Sequence, residues 1–237
     1  MIPKIIHYCW FGKGQMSEMA LKCIDSWHKY MPEYEYRLWN EDTFDVNSIP
    51  YTSEAYSAKK YAFVTDYVRL FALYKYGGIY MDTDVEILKP LDDLLHLSAF
   101  TGYEGSKSLP PVTGLMASMA GGVWVKEQLD VYEGLHFKKT DGVLDLTTNT
   151  VRISDVMVSN GFVCDGKYKV YKDLHVFPVD YFCPRQTTGE FILTNNTYCD
   201  HHFMGSWNDS KKNNLLLKLL GQKNAIRLIK IKRKIFK

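Results

Sequence analysis

The 237-residue sequence lacks the features that define several large classes of protein. Its five cysteines are odd in number and no two are separated by two residues, so neither a disulfide framework nor a zinc knuckle is predicted. It has no run of about eighteen apolar residues, which predicts no membrane-spanning helix, and its first residues do not form a signal peptide. We therefore expect a protein of the reducing cytoplasm.

Three other common signatures are missing. The sequence has no HExxH or other zinc spacing, and Gly12-Lys13-Gly14 lacks the third glycine of a dinucleotide-binding fingerprint. The overall net charge of +2 conceals an acidic body, because residues 211–237 contain ten Lys or Arg and no Asp or Glu. The first 210 residues therefore carry a net charge of −8, which argues against nucleic-acid binding.

The most informative stretch runs from Tyr61 to Glu86 and reads YAFVTDYVRLFALYKYGGIYMDTDVE. Apolar residues at helical spacing predict a largely buried helix that begins at Ser53 or Glu54. The glycine pair at positions 77 and 78 predicts the end of this helix, since glycine takes the left-handed C-terminal position without a Cβ clash. Residues 79–81 are then expected to form a short central strand.

Four charged residues in this stretch are the first candidate site residues. Asp66 and Arg69 are three residues apart and share one helix face, where a buried ion pair is a weak stabiliser that invites a functional explanation. Asp82 and Asp84 follow the strand, and an extended chain would place both on one side, about 7 Å apart. At that spacing both carboxylates could bind one cation, and oxygen ligands favour Mg²⁺ or Mn²⁺. The alternative interpretation of this D-x-D tripeptide, taken alone, is a solvated turn without a metal.

The start of the chain predicts the strand, helix and strand order of an α/β protein. Residues 2–10 form the first predicted strand, Ser17 caps a helix that reaches about Tyr30, and residues 34–39 form the second strand. Ligands of open α/β sheets collect at the carboxyl ends of strands, so Trp10 is placed to stack on a nucleotide base. A core tryptophan is the alternative interpretation.

The last chemically distinctive segment, residues 197–207, reads TYCDHHFMGSW. We expect His201 or His202 to complete the site begun by the two aspartates, although a histidine pair is also common on ordinary surfaces. From Leu215 onward, apolar residues at helical spacing can form one face beside a strongly basic one, which predicts an interfacial helix on an anionic membrane. The alternative is a C-terminal helix packed on the body.

These segments resemble the DXD-containing sugar transferases of glycosyltransferase family 32, whose bacterial members build capsule and other surface polysaccharides. The resemblance covers most of residues 2–207 and rests on IPKIIHYCWFG, SWHKYMPEYEYRLWNED, AKKYAFVTDYVRLFALYKYGGIYMDTDVE and HHFMGSW. It implies a GT-A-like α/β fold, in which helices flank a mostly parallel nucleotide-binding sheet, for residues 1–210, with a basic amphipathic tail at 211–237. It also implies Mn²⁺ or Mg²⁺ and a nucleotide-sugar donor, with a UDP-sugar favoured over a GDP-sugar.

The resemblance assigns roles to individual residues. Asp82 and Asp84 would hold the metal and the diphosphate, while Asp66 and Arg69 match the D-x-x-R that contacts ribose and donor sugar in related transferases, including the clostridial glucosylating toxins. The remaining assignments are Trp10 to the base, Asn149 beside the reacting sugar with Asp66 and Asp82, His201 or His202 to the metal, and Ser206 and Trp207 to the diphosphate. Many members read N-G-P or N-T-P at Asn149, and this chain lacks that proline.

The implied reaction is a retaining transfer of a sugar to a growing surface glycan or a lipid-linked acceptor. A metal would stabilise the departing diphosphate, and a front-face mechanism is our working hypothesis because no carboxylate stands out as a covalent nucleophile. Two other classes are weighed against it. A phosphoryl hydrolase of the D-x-D-x-T type would need threonine where Glu86 stands, and a non-catalytic carbohydrate-binding protein would leave the four charged residues without a task.

Overall fold

The computed structural model describes residues 1–105, 110–112, 114–185 and 191–205. The chain divides into two compact units, Met1–His202 and Phe203–Lys237, and all of the secondary structure given below belongs to the first unit. Ser206, Trp207, the expected domain boundary after residue 210 and the amphipathic tail lie outside the described residues.

Strands form one large mixed sheet and one small ribbon. In the described residues they are β1 (Ile5–Cys9), β2 (Glu35–Trp39), β3 (Gly78–Met81), β4 (Val85–Ile87), β5 (Ala99–Gly102), β6 (Leu115–Ser118), β7 (Lys169–Tyr171), β8 (Leu174–Phe177) and β9 (Cys199–His201). The sheet order is β2-β1-β3-β6-β5-β8-β7, and β4 pairs with β9 in an antiparallel ribbon. Within the sheet only β6 and β7 oppose the other strands, so the expected mostly parallel sheet is confirmed.

The helices of the described residues are α1 (Glu18–Tyr30), α2 (Pro50–Ser57), α3 (Tyr61–Tyr76), α4 (Val123–Asp130), α5 (Asn149–Ser159) and α6 (Val179–Phe182), with a 3-10 turn at Asp92–Leu94. The Ser17 hydroxyl accepts a hydrogen bond from the Ala20 N–H, which confirms the predicted cap of α1. The prediction of one long helix from Ser53 or Glu54 is wrong. Lys59 adopts a φ of 57° between α2 and α3, and this left-handed conformation interrupts the helix. Across the described residues, none of these helices has both the length and the apolar composition to span a bilayer.

The glycine pair after α3 acts as predicted. Gly77 and Gly78 have φ values of 65° and 110°, which side-chain-bearing residues rarely adopt. A Cβ on Gly78 would also lie 2.5 Å from the carbonyl oxygen of Ile5. These two glycines therefore end α3 and let β3 enter the sheet directly beside β1.

A buried histidine, His7, forms hydrogen bonds to the residues around this glycine pair. The indole N–H of Trp39 donates to His7 Nδ1 at 3.1 Å, so the ring proton lies on Nε2, which donates to the Gly77 carbonyl at 2.8 Å. Burial lowers the pKa of His7 to about 4, which keeps the ring neutral. His7 thus links β1, β2 and the end of α3 without carrying a charge.

Helices cover both faces of the sheet and create two hydrophobic cores. Val64 and Val68 of α3 pack in one core, whereas Trp27 of α1 packs in the other. The strand β3 contributes to both cores, because Tyr80 faces α3 while its two neighbours face α1. This alternation points the Tyr80 ring toward α3 at the carboxyl end of a central strand.

Candidate active site

Asp82 and Asp84 lie on the turn that follows β3. The Val85 N–H donates to the Asp82 carbonyl at 3.0 Å, which closes this turn. The expectation of an extended Asp82–Asp84 backbone is therefore wrong, because the chain turns as it leaves the sheet for the β4–β9 ribbon. The turn still places the two carboxylates within reach of one another.

His201 joins the two aspartates from a distant part of the sequence. In the ribbon, His201 pairs with Val85, and its Nε2 lies 3.3 Å from Asp84 Oδ1. Ligand atoms of Asp82, Asp84 and His201 all lie within 4.8 Å of one another. Two carboxylates and one imidazole at this spacing can bind a divalent cation of the Mg²⁺ or Mn²⁺ type.

His202 has a different environment from its neighbour. Its Nε2 lies 2.8 Å from Glu86 Oε2, and the same carboxylate oxygen accepts a hydrogen bond from the Lys22 ammonium at 3.1 Å. Successive residues of an extended chain point to opposite sides. The structure therefore groups His201 with Asp82 and Asp84, and it places His202 with Glu86, the position where the D-x-D-x-T type of hydrolase has threonine.

Arg69 connects the helix carboxylate to the turn carboxylate. Its Nη2 lies 3.4 Å from Asp66 Oδ1 and 3.2 Å from Asp82 Oδ1, and the side chains of Arg69 and Asp66 are each only 11% exposed. The guanidinium also lies over the Tyr80 ring, 4.5 Å from its centroid, and the Tyr80 hydroxyl donates to Asp82 Oδ1 at 2.7 Å. The guanidinium of Arg69 thus connects Asp66 on the helix to Asp82 on the turn.

Burial shapes the charges in this group. It raises the pKa of the Asp66 carboxyl to about 6, although Arg69 and the Asn149 N–H favour the ionised form. Burial also disfavours the Arg69 charge, but Asp82, Tyr80 and Asp66 hold its pKa above the ordinary value. Arg69 therefore stays positive in a buried position, where its attraction for an anion is screened little by solvent.

Asn149 lies beside Asp66 at the start of α5. Its N–H donates to Asp66 Oδ2 at 3.1 Å, so both carboxylate oxygens of Asp66 have partners within the protein. The Asn149 side chain is buried, and in the described part of the chain neither its amide nitrogen nor its amide oxygen has a hydrogen-bond partner. A buried amide without partners is costly, and a bound polar ligand would satisfy it.

Trp10 leaves the sheet at the same edge as Asp82, because β1 and β3 are parallel neighbours. Its ring is half-buried rather than part of either core, and its indole N–H donates to the Gly14 carbonyl at 2.7 Å. This position favours a surface for stacking over the core interpretation. The predicted diphosphate contacts Ser206 and Trp207 lie outside the described residues.

Two residues at the site were missed by sequence reasoning. The Gly114 carbonyl accepts the Asp82 N–H at 2.7 Å, and a Cβ on Gly114 would lie 3.0 Å from Asp82 Oδ2 and 3.1 Å from His201 Cε1. Glycine here leaves the space in which the aspartates and His201 converge, and a glycine before a strand is the signal that could have revealed it. Glu104 Oε2 lies 3.6 Å from His201 Nδ1, and nothing in its local sequence distinguishes it.

The mostly parallel sheet with helices on both faces is the GT-A-like α/β fold expected from the sequence. A solved structure titled "PaToxG Glycosyltransferase" superimposes with a TM-score of 0.50 at 19% identity, over 68% of this chain and 70% of that one, which supports the fold. Residues 17–101 match the family model described as "Glycosyltransferase sugar-binding region containing DXD motif". That match covers 85 of the 237 residues and includes Asp66, Arg69, Asp82 and Asp84.

Two curated proteins that are similar to this chain are fungal enzymes. Inositol phosphoceramide mannosyltransferase 3 of Schizosaccharomyces pombe is 39% identical over 103 residues, which is 42% of this chain and 29% of that protein. Mannosyl phosphorylinositol ceramide synthase CSH1 of Saccharomyces cerevisiae is 36% identical over 107 residues, or 42% of this chain and 27% of that protein. The match thus spans less than a third of either relative. The narrower resemblance to bacterial capsule enzymes stays a prediction.

Proposed function

We propose that this protein is a metal-dependent, retaining glycosyltransferase that moves a sugar from a nucleotide-sugar donor to a glycan or lipid-linked acceptor. The observation that carries the proposal is the convergence of Asp82, Asp84 and His201 within 4.8 Å, with Arg69 bound to Asp82 at 3.2 Å. This arrangement combines a cation site with a buried positive charge, which is the chemistry that a sugar diphosphate requires.

The donor set fits a divalent metal. Asp82 and Asp84 supply hard oxygen ligands, His201 supplies a nitrogen, and Gly114 leaves the space between them open. A metal bound there would act as a Lewis acid on the diphosphate leaving group. Arg69 would add a fixed positive charge next to the same phosphate oxygens, since it already lies beside Asp82.

Asp66 and Asn149 would bind the sugar side of the donor. Asp66 is a poor candidate for a covalent nucleophile, because Arg69 and the Asn149 N–H engage its two oxygens. The unsatisfied amide of Asn149 would instead donate to and accept from sugar hydroxyls. This supports a front-face mechanism, in which the leaving phosphate assists the incoming hydroxyl and the configuration of the sugar is retained.

The names of the curated relatives suggest a donor sugar and an acceptor. Both are mannosyl-transferring enzymes of inositol phosphoceramide by name, so a mannosyl donor and a lipid-linked acceptor are the first choices. A growing capsule or other surface glycan is the second acceptor. The family resemblance favours a UDP-sugar over a GDP-sugar. The first experiment is therefore a thermal-shift panel of both kinds of donor, with and without Mn²⁺.

The metal site is tested by Asp82→Asn and Asp84→Asn, which remove one ligand charge each and keep the side-chain shape. With the donor identified by the panel, we expect each variant to lose at least about 100-fold in transfer rate, the scale for losing a charge stabiliser in an active site. Asp155→Asn, on the exposed side of α5, is the matched control and should retain full activity. Unchanged transfer in either aspartate variant at saturating metal would overturn the proposal.

A membrane role for residues 211–237 and a location at the inner face of the membrane are also proposals. Their support is the ten basic residues and the apolar spacing of the sequence. Sedimentation with anionic liposomes would compare the full chain with one truncated after Asn208. Equal sedimentation of the two forms would exclude the tail as the membrane contact.

A further inference from the structure

A second group of potential metal ligands lies on the other edge of the His201 ring. Glu104 follows β5, Cys183 follows α6, and His201 ends β9; their ligand atoms all lie within 4.8 Å of one another. The two ring nitrogens divide between the groups, because Nε2 lies 3.3 Å from Asp84 Oδ1 and Nδ1 lies 3.6 Å from Glu104 Oε2.

The chemistry of this second group differs from that of the aspartate group. It offers one sulfur, one nitrogen and one oxygen, and a thiolate selects softer ions such as Zn²⁺ over Mg²⁺ or Mn²⁺. Cys183 is not part of a disulfide, so its sulfur is chemically able to bind a metal. The group of Asp82, Asp84 and His201 has two carboxylates and no sulfur. The group with Cys183 should therefore prefer softer divalent ions, and the group with the two aspartates should prefer harder ones.

The spacing also suits zinc. Zinc bonds of about 2.0 to 2.3 Å place the donor atoms of a tetrahedral site roughly 3.5 Å apart. Donors that lie within 4.8 Å need to approach by only about 1 Å, which side-chain rotation provides. Cys183 and His201 are buried, whereas the Glu104 side chain is 21% exposed and gives an ion a path from solvent.

We propose that Glu104, Cys183 and His201 form a second metal site, selective for Zn²⁺ or another thiophilic divalent ion. The site itself does not depend on the proposed glycosyltransferase function. One consequence does rest on the proposed function: a metal ion bound at Glu104, Cys183 and His201 should weaken metal binding at Asp82 and Asp84. Neutral imidazole has one lone-pair nitrogen, so His201 serves one ion at a time, and zinc at Cys183 withdraws it from Asp82 and Asp84.

The site is tested with Co²⁺ as a spectroscopic substitute for zinc. We expect reduced, metal-free protein to develop a thiolate-to-cobalt charge-transfer band that saturates at one bound ion and disappears when Zn²⁺ is added. Cobalt at Asp82 and Asp84 produces no such band, because that group contains no sulfur. Absence of the band in the wild-type protein would overturn the proposal.

Variants identify the sulfur. Cys183→Ser should abolish the band, whereas Cys164→Ser, at the half-buried cysteine, should retain it. Asp84→Asn should also retain it, which separates failure of this site from failure of the proposed active site. If Cys183→Ser does not fold, Glu104→Gln provides the second test and should weaken cobalt binding at least tenfold. A band that persists in Cys183→Ser, or cobalt affinity unchanged in Glu104→Gln, contradicts the assignment.

The coupling is measured by the affinity for Mn²⁺, read from its electron paramagnetic resonance signal. Equimolar Zn²⁺ should raise the apparent Mn²⁺ dissociation constant at least tenfold in the wild type and have little effect in Cys183→Ser. An equal effect in both proteins would show that zinc competes directly at Asp82 and Asp84. That result, or no effect in the wild type, would overturn the coupling.

Discussion

His7 on β1 and His201 on β9 are both buried histidines, yet their surroundings have opposite electrostatic character. His7 contacts a backbone carbonyl and the indole N–H of Trp39, and burial lowers its pKa to about 4. His201 is also desolvated, but hydrogen bonds with Asp84, Cys183 and Glu104 hold its pKa well above the ordinary value.

The comparison shows that burial alone does not distinguish a histidine within the core from one at the candidate metal site. Both nitrogens of His7 have neutral partners, and the ring links two strands and a helix end. His201 faces carboxylates on both ring edges, where positive charge is favoured. A divalent cation among the same carboxylates would supply that charge. The partners of the two buried rings therefore distinguish His7 from His201, whereas their burial does not.

The largest expected effect separates His201 from its neighbour. His201→Ala should lower the affinity for Mn²⁺ and the transfer rate at least about 100-fold, the upper range for loss of a partner around a metal site. His202→Ala should change either quantity less than about threefold, since that ring contacts Glu86 on the other side of the ribbon. Mn²⁺ titration and initial rates provide both measurements. Similar losses in the two variants would remove the distinction between the two rings.

Local signals made the center of the site predictable from sequence. The buried helix, the glycine pair and the strand before Asp82 each depend on residues that are close together in the sequence. The shared helix face of Asp66 and Arg69 likewise follows from their separation of three residues. Lys59 shows the limit of this approach, because apolar spacing continues through the break between α2 and α3. The spacing of apolar residues does not indicate a left-handed conformation at a lysine.

Long-range pairing explains what sequence reasoning did not predict. The choice between His201 and His202 depends on the register of β9 against β4, two strands that lie more than a hundred residues apart in the sequence. Gly114 and Glu104 likewise reach the site through strands that neighbour β3 and β6 in the sheet. The sequence pattern identifies what one segment can do, whereas these contacts require the sheet order.

The second prediction concerns stability at His7. His7→Ala would leave the Trp39 indole N–H and the Gly77 carbonyl without their buried partner, so we expect a loss of about 2 kcal/mol in the free energy of unfolding. His28→Ala, at an exposed position on α1, is the control and should lose less than about 0.5 kcal/mol. Urea denaturation compares the two. A His7→Ala protein as stable as the control would show that the ring does not hold this junction together.

The smallest expected effect is the pH dependence that the lowered pKa of His7 gives to stability. The unfolded ring titrates near its ordinary value of 6.5 and the folded ring near about 4, so between these values the unfolded state binds more protons. Stability therefore falls as pH falls through this window, by about 1 kcal/mol between pH 6.5 and 5.5. The contribution of His7 is complete above the unfolded pKa. In His7→Ala this part of the dependence should vanish, so the gap in unfolding free energy between wild type and variant should narrow by about 1 kcal/mol over the same range. A gap that stays constant would mean that the folded protein protonates His7 as readily as the unfolded chain does, contrary to the neutral ring that its two hydrogen bonds require.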